Sequence, residues 1–301
     1  MEKTQIKGHL AMVGANAMWG LMSPVAKMVM GLGVISPLLM TDLRIVGAAV
    51  LFWTLSLFVK REHVPIGDLA RLAGAACLGI LINQGSFIFG VRFTSPGEAS
   101  IITTTMPMWV MVLAALFLKE PITFKKVGGI ILGASGALIL VMNNASASTS
   151  GGENPMLGDL LVLTAQLSYA IYLTLYKNFI KRYSLVTLMK WMFTFAAIIL
   201  LPFSVTSVGE TTWSDVSLME WGGIAYVVVC GTFLAYIGMM TGQKTLRPTL
   251  VGMYNYLQPI VASLVGVCLG LDRFTPIKIG AVALIFTGVY LVAISRAASD
   301  K

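Results

Sequence analysis

The chemistry available to this sequence lies in a few polar residues set within long apolar runs. Lys27, Asp42, Arg44 and Glu98 are charges inside or at the edge of such runs. A charge at membrane depth must pair or serve a pathway, which makes each a functional candidate. Asp42 and Arg44 are two residues apart, so on a helix they face different sides and need different partners. The pairs Lys27–Asp42 and Arg44–Glu98 would close an outer gate or hold a substrate carboxylate. The competing reading is snorkelling of Lys27 and Glu98 to the lipid headgroups. Lys177 and Lys190 mirror them on the inner side with no carboxylate, so the gate chemistry is expected to be asymmetric.

Uncharged polar and aromatic side chains form a second set. Trp19, Asn83, Gln84, Thr103, Trp109, Tyr172, Asn255 and Gln258 are the candidate substrate-binding residues. An aromatic wall with a few fixed polar groups describes a typical small-molecule site. Asn83 and Gln84 are informative together, because adjacent amides cannot both face lipid cheaply. Pro107 and Pro259 are candidate hinges. A proline inside a helix loses one backbone bond and clashes with the carbonyl four residues back, here at Thr103 and Asn255. The null for the pair is a structural kink.

Other chemistries are not expected. No P-loop, nucleophile elbow or HExxH motif occurs, and Cys77, Cys230 and Cys268 sit in apolar runs with no CxxC or His cluster. Neither catalysis, a metal site nor a cofactor is expected, and transport driven by ATP on this chain alone is excluded.

The elements that must hold these residues follow from composition. Of 301 residues, 57% are hydrophobic and 11% charged, against about 25% charged in ordinary soluble domains. Ten runs are long enough to span a bilayer as helices: residues 8–30, 36–59, 69–91, 96–118, 124–142, 156–177, 184–206, 218–242, 249–270 and 275–295. The first is expected to stay uncleaved. With the N-terminus inside, fifteen of the 21 Lys and Arg fall in inner loops, three outside and three in spans. The positive-inside rule thus places both termini in the cytoplasm. The net charge of +8 is spread over every inner loop, which argues against a nucleic-acid partner.

A shift of 152 residues aligns the ends of the two halves. Pro96 meets Pro248, Pro107 meets Pro259, Glu120 meets Asp272, Lys126 meets Lys278, Gly128 meets Gly280 and Gly136 meets Gly288. A shift of 150 aligns Gly8 with Gly158, Trp19 with Tyr169 and Lys27 with Lys177. Five spans per half is an odd number, so the halves run through the membrane in opposite senses, an architecture of many secondary transporters. The expected fold is an all-α integral membrane protein of ten transmembrane helices in two inverted five-helix repeats. Residues 1–142 form the first repeat, 143–155 a flexible linker and 156–301 the second.

The stretch from Ala115 to Thr123, followed by Gly128, Gly133 and Gly136, resembles the end of an EamA repeat of the drug/metabolite transporter superfamily. So does Gly270 to Thr275 with Gly280 and Gly288. Trp19-Gly20 before Pro24 and Lys27, and Arg44 followed by small residues, also look like that family. Asp272 departs from it, since Glu is more usual there. The resemblance implies metabolite transport in a bacterial inner membrane. The resulting expectation is a secondary transporter of small polar or amphipathic metabolites, amino acids or related compounds among them, working by alternating access with export as the direction. It would be a monomer or weak homodimer. The alternatives are a channel or a non-transport membrane protein, either an intramembrane enzyme or a structural subunit.

Overall fold

The computed structural model describes residues 3–31, 33–94, 99, 102–144, 154–268 and 275–295. Helix α1 is Lys3–Gly31, α2 Pro37–Ser56, α3 Ile66–Phe93, α4 Met106–Leu118, α5 Phe124–Asn144, α6 Pro155–Leu175, α7 Leu185–Glu210 and α8 Leu218–Thr245. Helix α9 covers 248–268 in three pieces, and α10 is Pro276–Ala293. Among the described residues there is no β-strand. Among the same residues six helices (α2, α3, α6, α7, α8 and α10, trimmed at some ends) are long and apolar enough to cross a membrane.

Local sequence sets the helix starts. Ser36, Asn154, Ser184 and Thr275 each accept a hydrogen bond from the backbone N–H three residues on, and prolines follow at 37, 155 and 276. Such caps satisfy donors that a helix N-terminus leaves open. Ser217 and Glu220 form a capping box at α8. At the other end of α10, Arg247 donates to the carbonyls of Val292 and Ala293, both at 3.0 Å, where a cation suits the negative helix pole.

Packing follows the small residues. Helices α5 and α10 touch along Gly129, Gly133, Gly136 and Gly288. A Cβ on Gly288 would lie 2.5 Å from the Gly129 carbonyl oxygen, so only glycine permits this approach. Gly238 and Gly242 likewise face α1. These GxxxG spacings therefore serve packing within the chain. Large apolar side chains such as Leu10, Leu116, Phe124, Ile198, Phe203 and Tyr290 point outward, a surface suited to lipid and not to water.

The helix contacts form a pattern. Helix α1 packs on α8 and α9, and α6 packs on α3 and α4. Helices α2 and α7, α4 and α9, and α5 and α10 pair directly. Exchanging each of α1 to α5 with the helix five places on leaves these pairings unchanged.

Two irregularities recur in each half. Helix α3 has a π-helical turn at Cys77–Ile82, and α8 has one at Tyr226–Leu234. The helical path breaks at Thr104-Thr105 and again at the 3₁₀ turn Tyr254–Tyr256. Pro107 and Pro259, expected inside kinked helices, instead fall second in α4 and third in the segment Leu257–Cys268. The chain avoids the proline clash by starting a new helix, because in the first turn the missing N–H has no partner to lose and no carbonyl four residues back lies in the ring's way. The carbonyl of Thr104 receives the Tyr256 hydroxyl at 3.1 Å.

Candidate functional site

The π-helical turn of α8 organises a buried polar cluster at mid-bundle. Such turns leave backbone groups out of the regular ladder and recur at functional sites. The Gly231 carbonyl accepts from Trp19 Nε1 at 3.0 Å, and Thr232 Oγ1 accepts from Arg44 Nε at 3.1 Å. Tyr236, just beyond the turn, meets Trp19 edge-on with ring centroids 5.8 Å apart, and Phe193 at 5.1 Å. Its hydroxyl accepts from Gln84 Nε2 at 2.6 Å.

A second group of amides involves the same helix α1. Gln258 Nε2 donates to Asn16 Oδ1 at 3.0 Å and approaches Asn255 Oδ1 at 3.4 Å. Asn255 Nδ2 contacts Met106 Sδ at 2.7 Å. These residues lie at the break in α9, next to the start of α4. The cluster at the turn draws on α1, α2, α3 and α8, and the amide group on α1 and α9.

A second centre lies toward the end of the bundle that carries Lys119, Lys126 and Lys177. Gln243 donates to the Tyr169 hydroxyl at 3.1 Å and accepts from that of Tyr172 at 3.2 Å. Beyond it, Glu120 takes Lys126 Nζ at 2.9 Å, Lys177 Nζ at 3.4 Å and the Thr249 hydroxyl at 3.1 Å. The Glu120 and Lys126 side chains are 2% and 1% exposed, and Lys177 is 20% exposed. Burial pushes the Glu120 carboxyl up. The hydrogen bond and charge of Lys126, the charge of Lys177 and the Thr249 hydroxyl outweigh this and hold it below the usual carboxylate value. Glu120 precedes α5, whereas Lys177 follows α6 and Thr249 opens α9. One carboxylate therefore ties residues before the linker to residues after it. A narrow crevice beside it, lined by Leu173, Lys177, Gln243 and Val251 among others, leaves no room for water.

Of the candidate binding set, Trp19 and Gln84 meet at Tyr236, with Arg44 beside them at Thr232, while Asn255 and Gln258 join Asn16, which is three residues before Trp19 on α1. The other four stand apart. Asn83 donates to the Ala165 carbonyl at 2.9 Å, and Tyr172 belongs to the Gln243 centre. Thr103 bonds back to the Ala99 carbonyl, and Trp109 donates to Thr105 Oγ1. Asp42 is buried. The Lys27 side chain and Glu98 lie outside the described residues, as does the pairing of Lys27 with Asp42 and of Arg44 with Glu98.

One expectation is corrected. Lys177 does have a carboxylate, Glu120, supplied from another part of the chain. In the sequence Glu120 falls between two apolar runs, as a repeat position and part of the Ala115 to Thr123 stretch. Its burial was the missing fact, although Glu120 and Lys126, six apart across a helix start, were a visible pairing signal. Lys190 instead lies over the Trp53 ring, 4.7 Å from its centroid.

Known proteins resemble this chain over its whole length. The sequence model of the EamA-like transporter family matches residues 6–142 and 156–294. The chain belongs to the EamA-like transporter family. An uncharacterized transporter of Archaeoglobus fulgidus is 27% identical over 262 residues, covering 87% of this chain and 90% of the relative. The uncharacterized transporter YetK of Bacillus subtilis is 21% identical over 99% of this chain and 90% of its own length. The uncharacterized inner membrane transporter YedA of Escherichia coli is 27% identical over 86% of this chain and 82% of its own length. A solved crystal structure shares the fold, with a TM-score of 0.77 at 16% identity, over 95% of this chain and 96% of the other. This EamA protein is a multi-pass membrane transporter.

Proposed function

We propose that this EamA protein is a secondary transporter of small polar or amphipathic metabolites, amino acids or related compounds among them, working by alternating access between two inverted five-helix halves. Residues 1–142 and 156–301 are the halves and 143–155 the linker. The observation that carries the reading is that residues 152 positions apart touch each other. Gln84 bonds Tyr236, and the Thr104 carbonyl bonds Tyr256. A residue meets its own counterpart only near a two-fold axis. The exchangeable helix contacts, the π-helical turns and the helix breaks repeat at matching places in support. The axis would pass through the mid-bundle polar cluster, where transporters of this build hold substrate.

In this reading Trp19, Arg44, Gln84, Asn255 and Gln258 surround the substrate. Asn83, Thr103, Trp109 and Tyr172 line its route. The breaks before Pro107 and Pro259 are the flexing points. Glu120 with Lys177 and Thr249 closes the basic end, and Lys27, Asp42 and Glu98 act at the other. Both termini lie in the cytoplasm of a bacterium, in the inner membrane, and export is the direction. The test is a metabolite panel in proteoliposomes, run with and without a proton gradient. Saturable, counterflow-competent flux is expected. Non-saturable flux with no counterflow would point to a channel, and no flux of any panel member would overturn the reading.

A further inference from the structure

We propose that Arg44 and Gln84 form one recognition pair, and that the transported solute is a carboxylate carrying a hydrogen-bond donor close to its carboxyl group. The inference rests on the transporter reading above and names its substrate class.

Arg44 is 3% exposed. Its Nε donates to Thr232, and no carboxylate lies within 4.0 Å of it among the described residues. A guanidinium carries five N–H donors in a flat fork that matches two carboxylate oxygens. Thr232 occupies one and is neutral, and its own hydroxyl is committed to the Val227 carbonyl at 2.8 Å. A buried charge without a counter-charge is costly, and a substrate anion would supply one.

Gln84 shows the opposite deficit. It is 4% exposed, and its Nε2 is taken by Tyr236. Its Oε1 is buried with no hydrogen-bond partner among the described residues. A buried acceptor left open is rare enough to need a reason. Tyr236 links the two, bonded to Gln84 and within electrostatic range of Arg44. Arg44 on α2, bonded only through Nε among the described residues, and the open Gln84 acceptor on α3 thus share Tyr236 as a neighbour. A molecule with an anionic fork and a neighbouring N–H or O–H satisfies both. Trp19 and Phe193, packed on Tyr236, offer an apolar wall for the rest of it. The pair is enclosed in this conformation, so the solute would enter when the halves part.

The test is ligand stabilisation of the full-length protein in detergent, read as melting temperature against concentration. The probes are L-phenylalanine, 3-phenyllactate, 3-phenylpropionate and 2-phenylethylamine, with the matching leucine-derived set. Stabilisation by the amino acid, the hydroxy acid or both is expected, and which one responds identifies the donor. Arg44→Lys, which keeps the charge and loses the fork, should weaken that binding about 10- to 100-fold. Gln84→Leu should do so while leaving the plain carboxylate unaffected. The melting temperature and gel-filtration profile without ligand report whether each variant folds. Equal stabilisation by 3-phenylpropionate, stabilisation by 2-phenylethylamine, or no response to any carboxylate would overturn the inference. Flux of an uncharged panel member by wild type, undiminished in Arg44→Lys, would overturn it and leave the transporter reading standing.

Discussion

The Lys177–Glu120 contact allows a quantitative test of the proposed gate. Replace Lys177 with Met, which keeps the stem and removes the charge. Lys126 still neutralises Glu120, so no buried charge is stranded. Two unit charges 3.4 Å apart attract by about 5 kcal/mol at an effective dielectric near 20. Lys177 is 20% exposed, so hydration and side-chain entropy offset most of that, and a net of about 1–2 kcal/mol is expected. If the contact exists only in the conformation closed at this end, its loss shifts the balance toward the open one by about 5- to 30-fold. The readout is a cysteine at Val251, buried at 2% in the crevice, in a chain whose three native cysteines are replaced. Its labelling by a hydrophilic maleimide should speed up by that factor on adding Lys177→Met. Labelling that stays slow while transport and folding persist would show that the contact does not gate. The arginine variant at 177 should restore slow labelling.

Three further outcomes are expected. Gly288→Ala should separate α5 from α10 and abolish folded yield, whereas Gly280→Ala, with nothing within 4 Å of its added carbon, should express normally; equal yields would refute the contact. Pro107→Ala and Pro259→Ala should change transport rate more than expression, and unchanged flux in both would remove the hinge role. Glu120 has its carboxyl value lowered in the fold, so its ion cluster is fully stabilising above the ordinary carboxylate value near 4.5 and is lost as pH falls through the lower folded one. Thermal stability should therefore drop on acidification below about pH 4.5 in wild type, and transport between about pH 6 and 8 should not depend on Glu120 titration; an inflection in that range that Glu120→Gln removes would refute this.

The helices were legible in the sequence as long apolar runs, each of which contains or lies on a helix among the described residues, and six of those helices are long and apolar enough to cross a membrane. The sequence also carries a signal for the glycine contacts, since Gly129 and Gly133, and Gly238 and Gly242, stand four residues apart. The helix breaks at Thr104-Thr105 and Tyr254–Tyr256 were only partly legible. Proline announced a disturbance, but whether the chain kinks or restarts depends on which side chains take up the freed carbonyls, and Tyr256 is 152 residues from Thr104. A separation of 57 residues likewise hid the Glu120–Lys177 pair. Arg44 was marked by its charge, yet its neighbours come from α8, and the π-helical turn that shapes them leaves no mark in hydropathy. Trp19, Gln84, Asn255 and Gln258 were found because polar groups stand out in apolar runs; Thr232, Thr249 and Gln243 gave no such contrast.

The bond between Gln84 and Tyr236 bears on how such a chain acquires a preferred direction. Under the proposed two-fold, two identical subunits would place the same residue against itself at this point, so any change would arrive on both sides at once. Covalent fusion lifts that constraint. Glutamine now faces tyrosine, an amide against a phenol, and the two faces of the axis are no longer chemically alike. Positions on the axis are thus where the two closed conformations can drift apart in energy with the fewest substitutions, and a resting preference for one side of the membrane can be set there by a single codon.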